Sequence, residues 1–382
     1  MQAWIRITGN QKIQPIGLDI GHKSLKMVQV AVSEDRIRVL AARRAVWNAG
    51  AIADGPPRER AVIEAVCRLL SDNPFRGRQV VSALPVDALR ITSVRLSEPE
   101  KLQADKILRK EAAERFNLDP AKDTIHYIHA GTVRQSDVVK DEYILFAADS
   151  ETISTHIRIL EEAGLTPVGI DAPPCALFRS FERTMRRQED RERTIIFIDV
   201  GHRFTTVVFG RSGEICFVKQ IPVGIELFTQ EVASSLGISP ADAESLRVRL
   251  QRDEPLDPAT RRPVVDALNM MAEQLAGEVS LCLRYYTVTF RGKRVERAIV
   301  AGGGAYELVL RDALRRHLSV EVEIAEPLRG FDLCRAALDD GCSSEQADLA
   351  LAVGLSLKGW DIGISHSAPA ERPEPVLEGE PL

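Results

Sequence analysis

The sequence predicts an α/β protein built by duplication into two lobes, with a small α+β insertion in the first. Two observations carry this. The segment Ile16-Gly17-Leu18-Asp19-Ile20-Gly21-His22-Lys23 returns as Ile196-Phe197-Ile198-Asp199-Val200-Gly201-His202-Arg203, with its Asp, Gly and His displaced by one common offset of 180 positions. Each copy then opens a three-strand meander followed by helices, and 382 residues are enough for two lobes with a core each.

In the first lobe the strands fall at 16–19, 25–32 and 36–47. A loop over 50–57 leads to a helix at 58–70, whose apolar residues Ala61, Val62, Ala65, Val66, Leu69 and Leu70 have helical spacing. Ser71-Asp72-Asn73-Pro74 stops it, and 80–84 is a short buried-type strand ended by Pro85. A charged helix over 98–116, β-like residues 124–133, a polar turn at 135–137 and a strand at 142–148 form the insertion. The main layer resumes with a helix at 150–163, a strand at 167–170 and a helix at 174–184. The highly charged 183–193 reads as a linker.

The second copy repeats the meander at 195–199, 205–210 and 214–222, turning at Arg211-Ser212-Gly213. Helices follow at 225–236, 240–252 and 263–290, the last two separated by a polar loop at 253–262. A strand at 298–301 runs into Gly302-Gly303-Gly304, followed by a helix at 306–317, a β-like stretch at 320–324 and a closing helix at 344–358. The expected division is 14–96 with 146–192 for the first lobe, 97–145 for the insertion and 193–363 for the second lobe. That second lobe includes a subdomain at about 237–295, and a Pro- and Glu-rich disordered tail occupies 364–382.

A formal charge of −5 gives no support to a nucleic-acid surface. Six cysteines without a C-x-x-C pair read as small buried hydrophobes in a reducing compartment. The start of the chain has no signal-peptide core and nowhere do about 18 apolar residues run together, so a cytoplasmic protein without direct membrane insertion is expected.

Each Asp-x-Gly reads as a hairpin whose tip exposes backbone amides beside a carboxylate. Taken singly, either motif reads more readily as a plain turn. Facing each other, they make a phosphate clamp. Asp19 and Asp199 would hold the water shell of a Mg²⁺, and Gly21 and Gly201 would let N–H groups point at the anion. Lys26 interrupts an apolar strand seven residues after Asp19, and either neutralises phosphate or stands at a solvated edge, with Lys23 and Ser24 as seconds. Gly302-Gly303-Gly304, between a strand and a helix, suits close approach of a ligand or of backbone. His22 and His202 fit local hydrogen bonding or phosphate contact better than metal ligation, and Arg203 offers a guanidinium to phosphate.

These residues resemble the actin, heat-shock chaperone and hexokinase superfamily. Within it the chain is similar to the PilM family of type IV pilus assembly proteins, which is related to the division protein FtsA. The likeness rests on Gly17-Leu18-Asp19-Ile20-Gly21 with Ser24 and Lys26, Ser82-Ala83-Leu84-Pro85, and Glu111-Ala112-Ala113-Glu114-Arg115-Phe116. It continues through Asp199-Val200-Gly201, Thr205-Thr206, Gly224 and Ala301-Gly302-Gly303-Gly304. It implies a duplicated actin-like, ribonuclease H-like fold and an ATP-Mg²⁺ site between the lobes. The cofactor contacts would be Asp19, Gly21, His22, Lys23, Ser24 and Lys26 in the first lobe and Asp199, Gly201, His202, Arg203, Thr205, Gly224, Glu226, Gly302, Gly303 and Gly304 in the second.

The resemblance also implies a scaffold of a type IV pilus or type II secretion-like platform, held at the inner membrane by a partner. A groove beside the insertion would take the N-terminal segment of a PilN-like membrane protein; other platform proteins and self-association stay open. His22-Lys23 and Arg203-Phe204 stand where the family has small residues, so turnover is expected to be slow or absent. A sugar kinase of the same superfamily, for which the region after Leu84 offers only Asp87 as a base and no sugar-binding set around it, and an FtsA-like division protein are the alternatives.

Overall fold

Residues 11–33, 36–47, 55–71, 74–135, 138–182, 193–290 and 294–359 are described by a computed structural model. The expected linker at 183–193 lies outside these residues except for Arg193, as do most of the 50–57 loop, part of the 135–137 turn and the tail at 364–382.

The first lobe begins with β1 (Lys12–Ile13), β2 (Ile16–Ile20), β3 (Ser24–Val32), β4 (Ile37–Val46), α1 (Pro56–Ser71) and β5 (Gln79–Ala83). The insertion follows as β6 (Arg90–Leu96), α2 (Glu98–Lys101), α3 (Ala104–Phe116), β7 (Thr124–Gln135) and β8 (Val138–Ala148). The first lobe resumes with α4 (Ser150–Glu162), β9 (Thr166–Asp171) and α5 (Pro173–Glu182). The second lobe contains β10 (Thr194–Val200), β11 (Thr205–Arg211), β12 (Glu214–Ile221), α6 (Ile225–Leu236), α7 (Pro240–Gln251), α8 (Pro258–Phe290), β13 (Val295–Ala301), α9 (Leu308–Leu318) and β14 (Glu321–Ile324). The chain closes with β15 (Ala337–Leu338), α10 (Asp340–Ser344) and α11 (Ala350–Ser356).

The duplication is visible in the sheets. β4-β3-β2-β5-β9 in the first lobe and β12-β11-β10-β13-β14 in the second have the same order, three antiparallel strands followed by two parallel ones. β10 is the central strand of its sheet, and Ile195 to Ile198 are all buried, as expected for a strand covered on both faces. α1 buries Val62, Ala65, Val66 and Leu70, the stripe its spacing predicts.

Several features differ from expectation. β6 pairs with β8 from Arg90↔Ala147 to Leu96↔Asp141, so the insertion sheet claims residues 90–148 and encloses its own core of Val94, Leu96, Leu108, Ala112, Ile125, Leu145 and Ala147. The 98–116 helix is broken at Leu102 and Gln103, where an exposed Leu102 finds no core. α8 starts at Pro258 and carries Pro263 in its second turn, a lost N–H outweighed by a buried apolar face from Val264 to Phe290. Cys67 and Cys334 are exposed, whereas Cys216, Cys282 and Cys342 are buried as expected; all are free.

The last difference matters most. Residues from Leu328 onward, expected in the second lobe, return to the first: Leu328 and Phe331 join the core of β3 and β4, β15 extends their sheet beside β4, and α11 lies on β2, β3 and α5. Ser356 Oγ donates to Pro15 O at 2.8 Å and accepts from Val30 N at 3.2 Å. The chain therefore crosses between lobes twice. Two glycines make the contact possible: a Cβ on Gly354 would lie 1.8 Å from Ala176 O, and one on Gly17 would lie 2.0 Å from Ala352 O.

Gly354→Val is therefore expected to lower the unfolding free energy by about 3 kcal/mol or to prevent folding, read by urea denaturation. Gly277→Ala, in the open interior of α8, is expected to raise it by about 0.5–1 kcal/mol.

Candidate functional site

Both hairpins are built alike. Gly21 N donates to Ser24 O at 3.0 Å, and Gly201 N donates to Phe204 O at 2.9 Å. A Cβ at either glycine would crowd that same carbonyl, at 2.8 and 2.9 Å, which is why the turn needs glycine there. In the ladders Asp19 stands opposite Lys26 and Asp199 opposite Thr206. The tips face each other across the lobes, with the His22 and Phe204 rings 6.2 Å apart, and Lys23 of the first tip pairs with Glu244 on α7.

Between the tips lies a cavity of about 300 Å³. Asp19, Gly21, His22, Lys23, Ser24 and Lys26 line it from the first lobe. Asp199, Gly201, His202, Arg203, Gly302, Gly303 and Gly304 line it from the second. Three expected contacts are not among its walls. Thr205 is fully buried and its Oγ1 donates to Val223 O at 2.7 Å; the neighbouring Thr206 faces the cavity instead. Gly224 braces the second hairpin from behind, where a Cβ would lie 2.3 Å from His202 O. Glu226 meets Arg203 at 3.5 Å and His202 at 3.9 Å.

The glycine loop divides its labour. Gly302 has φ +82° and abuts Asp199, whose Oδ1 would be 2.5 Å from a Cβ, so no other residue fits without strain. Gly304 packs under Val200 and Ile225. Gly303 is exposed with nothing within 4 Å of a Cβ, so packing does not require glycine there and its bareness keeps the cavity open.

Asp19, Asp199 and Asp348 line the cavity together with Lys26 and Arg44. Lys26 Nζ donates to Asp19 Oδ2 at 3.0 Å. Burial works to lower the Lys26 pKa, but Asp19, Asp348 and Asp199 overcome it and hold the ammonium above its usual range. The Asp199 carboxyl is pushed up to about 7, first by burial and then by Asp19, with Lys26 opposing and Asp348 adding to the rise. At the rim, burial and then Arg247 push Lys23 down to about 8. Burial, followed by Lys23, His22, Arg203 and Arg247, pushes His202 down to about 4, leaving a neutral imidazole whose Nδ1 is buried without a hydrogen-bond partner among the described residues. Asp87, the base that a kinase would need, contacts His22 Nε2 at 3.4 Å, and that bond holds it below the usual carboxylate range.

Sequence reasoning missed Thr206, Arg44, Asp348, Glu244 and Arg247, all of which line the cavity. Thr206 was within reach, because the 180-residue offset between the two Asp residues also pairs it with Lys26. Arg247 sits in a buried ion pair with Glu307, just after the glycine loop. No local signal marks the others.

An acid whose folded pKa is raised destabilises the fold above its unfolded pKa, and the penalty is complete once the pH exceeds the folded value. Asp199→Asn without metal is therefore expected to be more stable than the parent at pH 8, by roughly 2–4 kcal/mol, with the gap closing as pH falls from about 7 to 4. Thermal melts across that range read it.

Comparison with known proteins agrees with this layout. The family profile of the type IV pilus assembly protein PilM matches residues 17–360. No curated protein matches the chain in sequence. Among solved structures the chain is similar to the PilM-PilN type IV pilus biogenesis complex, with 23% identity, 91% of this chain and 99% of that chain covered, and a TM-score of 0.72. It is also similar to ethanolamine utilization protein EutJ from Carboxydothermus hydrogenoformans, with 16% identity, 91% and 90% covered, and a TM-score of 0.54. At these identities the structural likeness establishes the fold, a duplicated actin-like one. With its profile spanning residues 17–360, the chain belongs to the PilM family of type IV pilus assembly proteins.

Proposed function

We propose that this chain binds ATP with Mg²⁺ between its lobes and serves as a scaffold of the pilus assembly platform whose nucleotide state shapes a partner groove. The observation that carries the reading is the pair of matching Asp-Gly hairpins facing across one cavity, with the bare Gly303 beside them. Backbone amides at the tips, Lys26 and Arg203 suit phosphate oxygens. Among the described residues no three His, Cys, Asp or Glu side chains gather as a direct metal set, so a cation here would keep water and phosphate oxygens as ligands, with Asp19 and Asp199 behind the water. Bound Mg²⁺ would neutralise phosphate charge and relieve the repulsion between those two carboxylates.

The groove that suits the partner is a cavity of about 480 Å³ along the edge strand β6, between α3 and α8. An extended N-terminal segment of a PilN-like membrane protein would lie in it, tethering the scaffold to the inner membrane from the cytoplasmic side. No helix among the described residues is long and apolar enough to cross a membrane. Arg95 joins the two walls: Nε donates to Glu142 Oε2 at 2.5 Å in the insertion, and Nη2 donates to Tyr285 OH at 2.9 Å on α8. Because α8 belongs to the second lobe, a lobe movement driven by nucleotide alters the groove.

Mg-ATP at a concentration about 100-fold above its Kd is expected to stabilise the protein by about 2.7 kcal/mol in thermal melts, and Asp19→Ala and Asp199→Ala should lose that response. A partner peptide is expected to bind more tightly in Mg-ATP than in EDTA, measured by fluorescence anisotropy. Arg95→Ala should abolish the difference while leaving the Mg-ATP melt intact.

A further inference from the structure

We infer that Asp348 is a third acidic residue of the cation site, accepting on its Oδ1 a hydrogen bond from a water of the divalent cation's shell, and that Arg44 positions it. This rests on the Mg-ATP reading above and adds a residue that the repeated hairpins do not contain.

Asp348 is 7% exposed and lines the cavity between the lobes. Its Oδ2 accepts from Arg44 Nη1 at 3.0 Å. Its Oδ1 is buried and has no hydrogen-bond partner among the described residues. A carboxylate serving only as a salt-bridge anchor gains most by presenting both oxygens to the guanidinium. Here one oxygen is left over, and a buried acceptor without a donor is costly unless something else fills the place.

The backbone sets the segment that carries Asp348 beside the clamp. Gly302 N donates to Ala347 O at 3.0 Å, and Ala347 N donates to Tyr306 OH at 3.1 Å, so the segment carrying Asp348 is tied to the glycine loop. Gly302 in turn abuts Asp199. The Asp348 charge is felt at both Asp199 and Lys26, where it raises both pKa values. Arg44 is itself fixed: its backbone N donates to Asp339 Oδ2 at 2.9 Å, and its guanidinium lies so close over Gly341 that a Cβ there would be 2.2 Å from Nη2. Arg44 therefore holds one oxygen of Asp348 and leaves the other for water.

Mn²⁺ binding to the full chain with saturating ATP, followed by electron paramagnetic resonance, tests the assignment. Asp348→Asn keeps an acceptor for Arg44 and is expected to weaken Mn²⁺ binding about tenfold or more. Its metal-free melt at pH 8 should be no lower than the parent's. Glu345→Gln removes a charge from the same arginine, 3.5 Å away, and should bind Mn²⁺ as the parent does. Arg44→Gln should weaken Mn²⁺ binding without changing ATP binding in EDTA, an effect that a merely structural arginine would not have.

Parent-like Mn²⁺ affinity in a folded Asp348→Asn variant overturns the assignment, and so does an equal loss in Glu345→Gln. If Asp348→Asn does not fold, Asp348→Glu, which moves the oxygen by one methylene, is judged by the same criterion. A parent that takes no Mn²⁺ with ATP overturns the underlying Mg-ATP reading instead.

Discussion

The carboxylates of Asp19, Asp199 and Asp348 gather in one cavity at the ends of two central strands, with Lys26 and Arg44 among them. Strand order, the glycine turns and the chain's return all serve to hold these like charges close. Asp19 and Asp199 end equivalent strands of duplicated sheets, so their separation is set by how the lobes face each other rather than by either lobe alone. Burial, and after it repulsion from Asp19, pushes Asp199 toward the neutral form, so its ionised form is unfavourable in the folded protein and a bound cation would relieve it.

The second crossing of the chain makes this arrangement robust. α11 returns from the second lobe to lie backbone-to-backbone on the first, through Gly17 and Gly354. On the way it brings Asp348 to the cavity, ties it to the glycine loop and hands it to Arg44. One segment thus belongs to the core of one lobe and to the wall of the site shared by both. The rim is bridged as well, by Lys23 with Glu244, and the groove beside the insertion is bridged by Arg95 with Tyr285. Contacts between the lobes thus stand both at the rim of the cavity and in the groove beside the insertion.

Much of this was legible in the sequence because it is local. The repeated Asp-x-Gly, the alternation of the strands and the Gly-Gly-Gly turn are short-range patterns, and the structure brings Asp19, Asp199 and Gly302-Gly303-Gly304 to one cavity. Thr205 and Thr206 show how fine the margin is: strand residues alternate faces, so an error of one position exchanges a buried brace for a cavity wall. The strand at 90–96 was not expected at all, and its residues fell to the first lobe, because its partner lies some fifty residues on and pairing cannot be read from one strand. Asp348 and Arg44 were invisible for the same reason. They meet across 304 positions, and nothing near either one announces the other.

A crystal structure with Mg²⁺ and a non-hydrolysable ATP analogue tests the phosphate clamp most directly. The expected result is a triphosphate lying between the Gly21 and Gly201 hairpins, with the cation's waters shared by Asp19 and Asp199 and the base beyond the glycine loop. Nucleotide bound away from both hairpins, or a cavity left unchanged at saturating nucleotide, would contradict it.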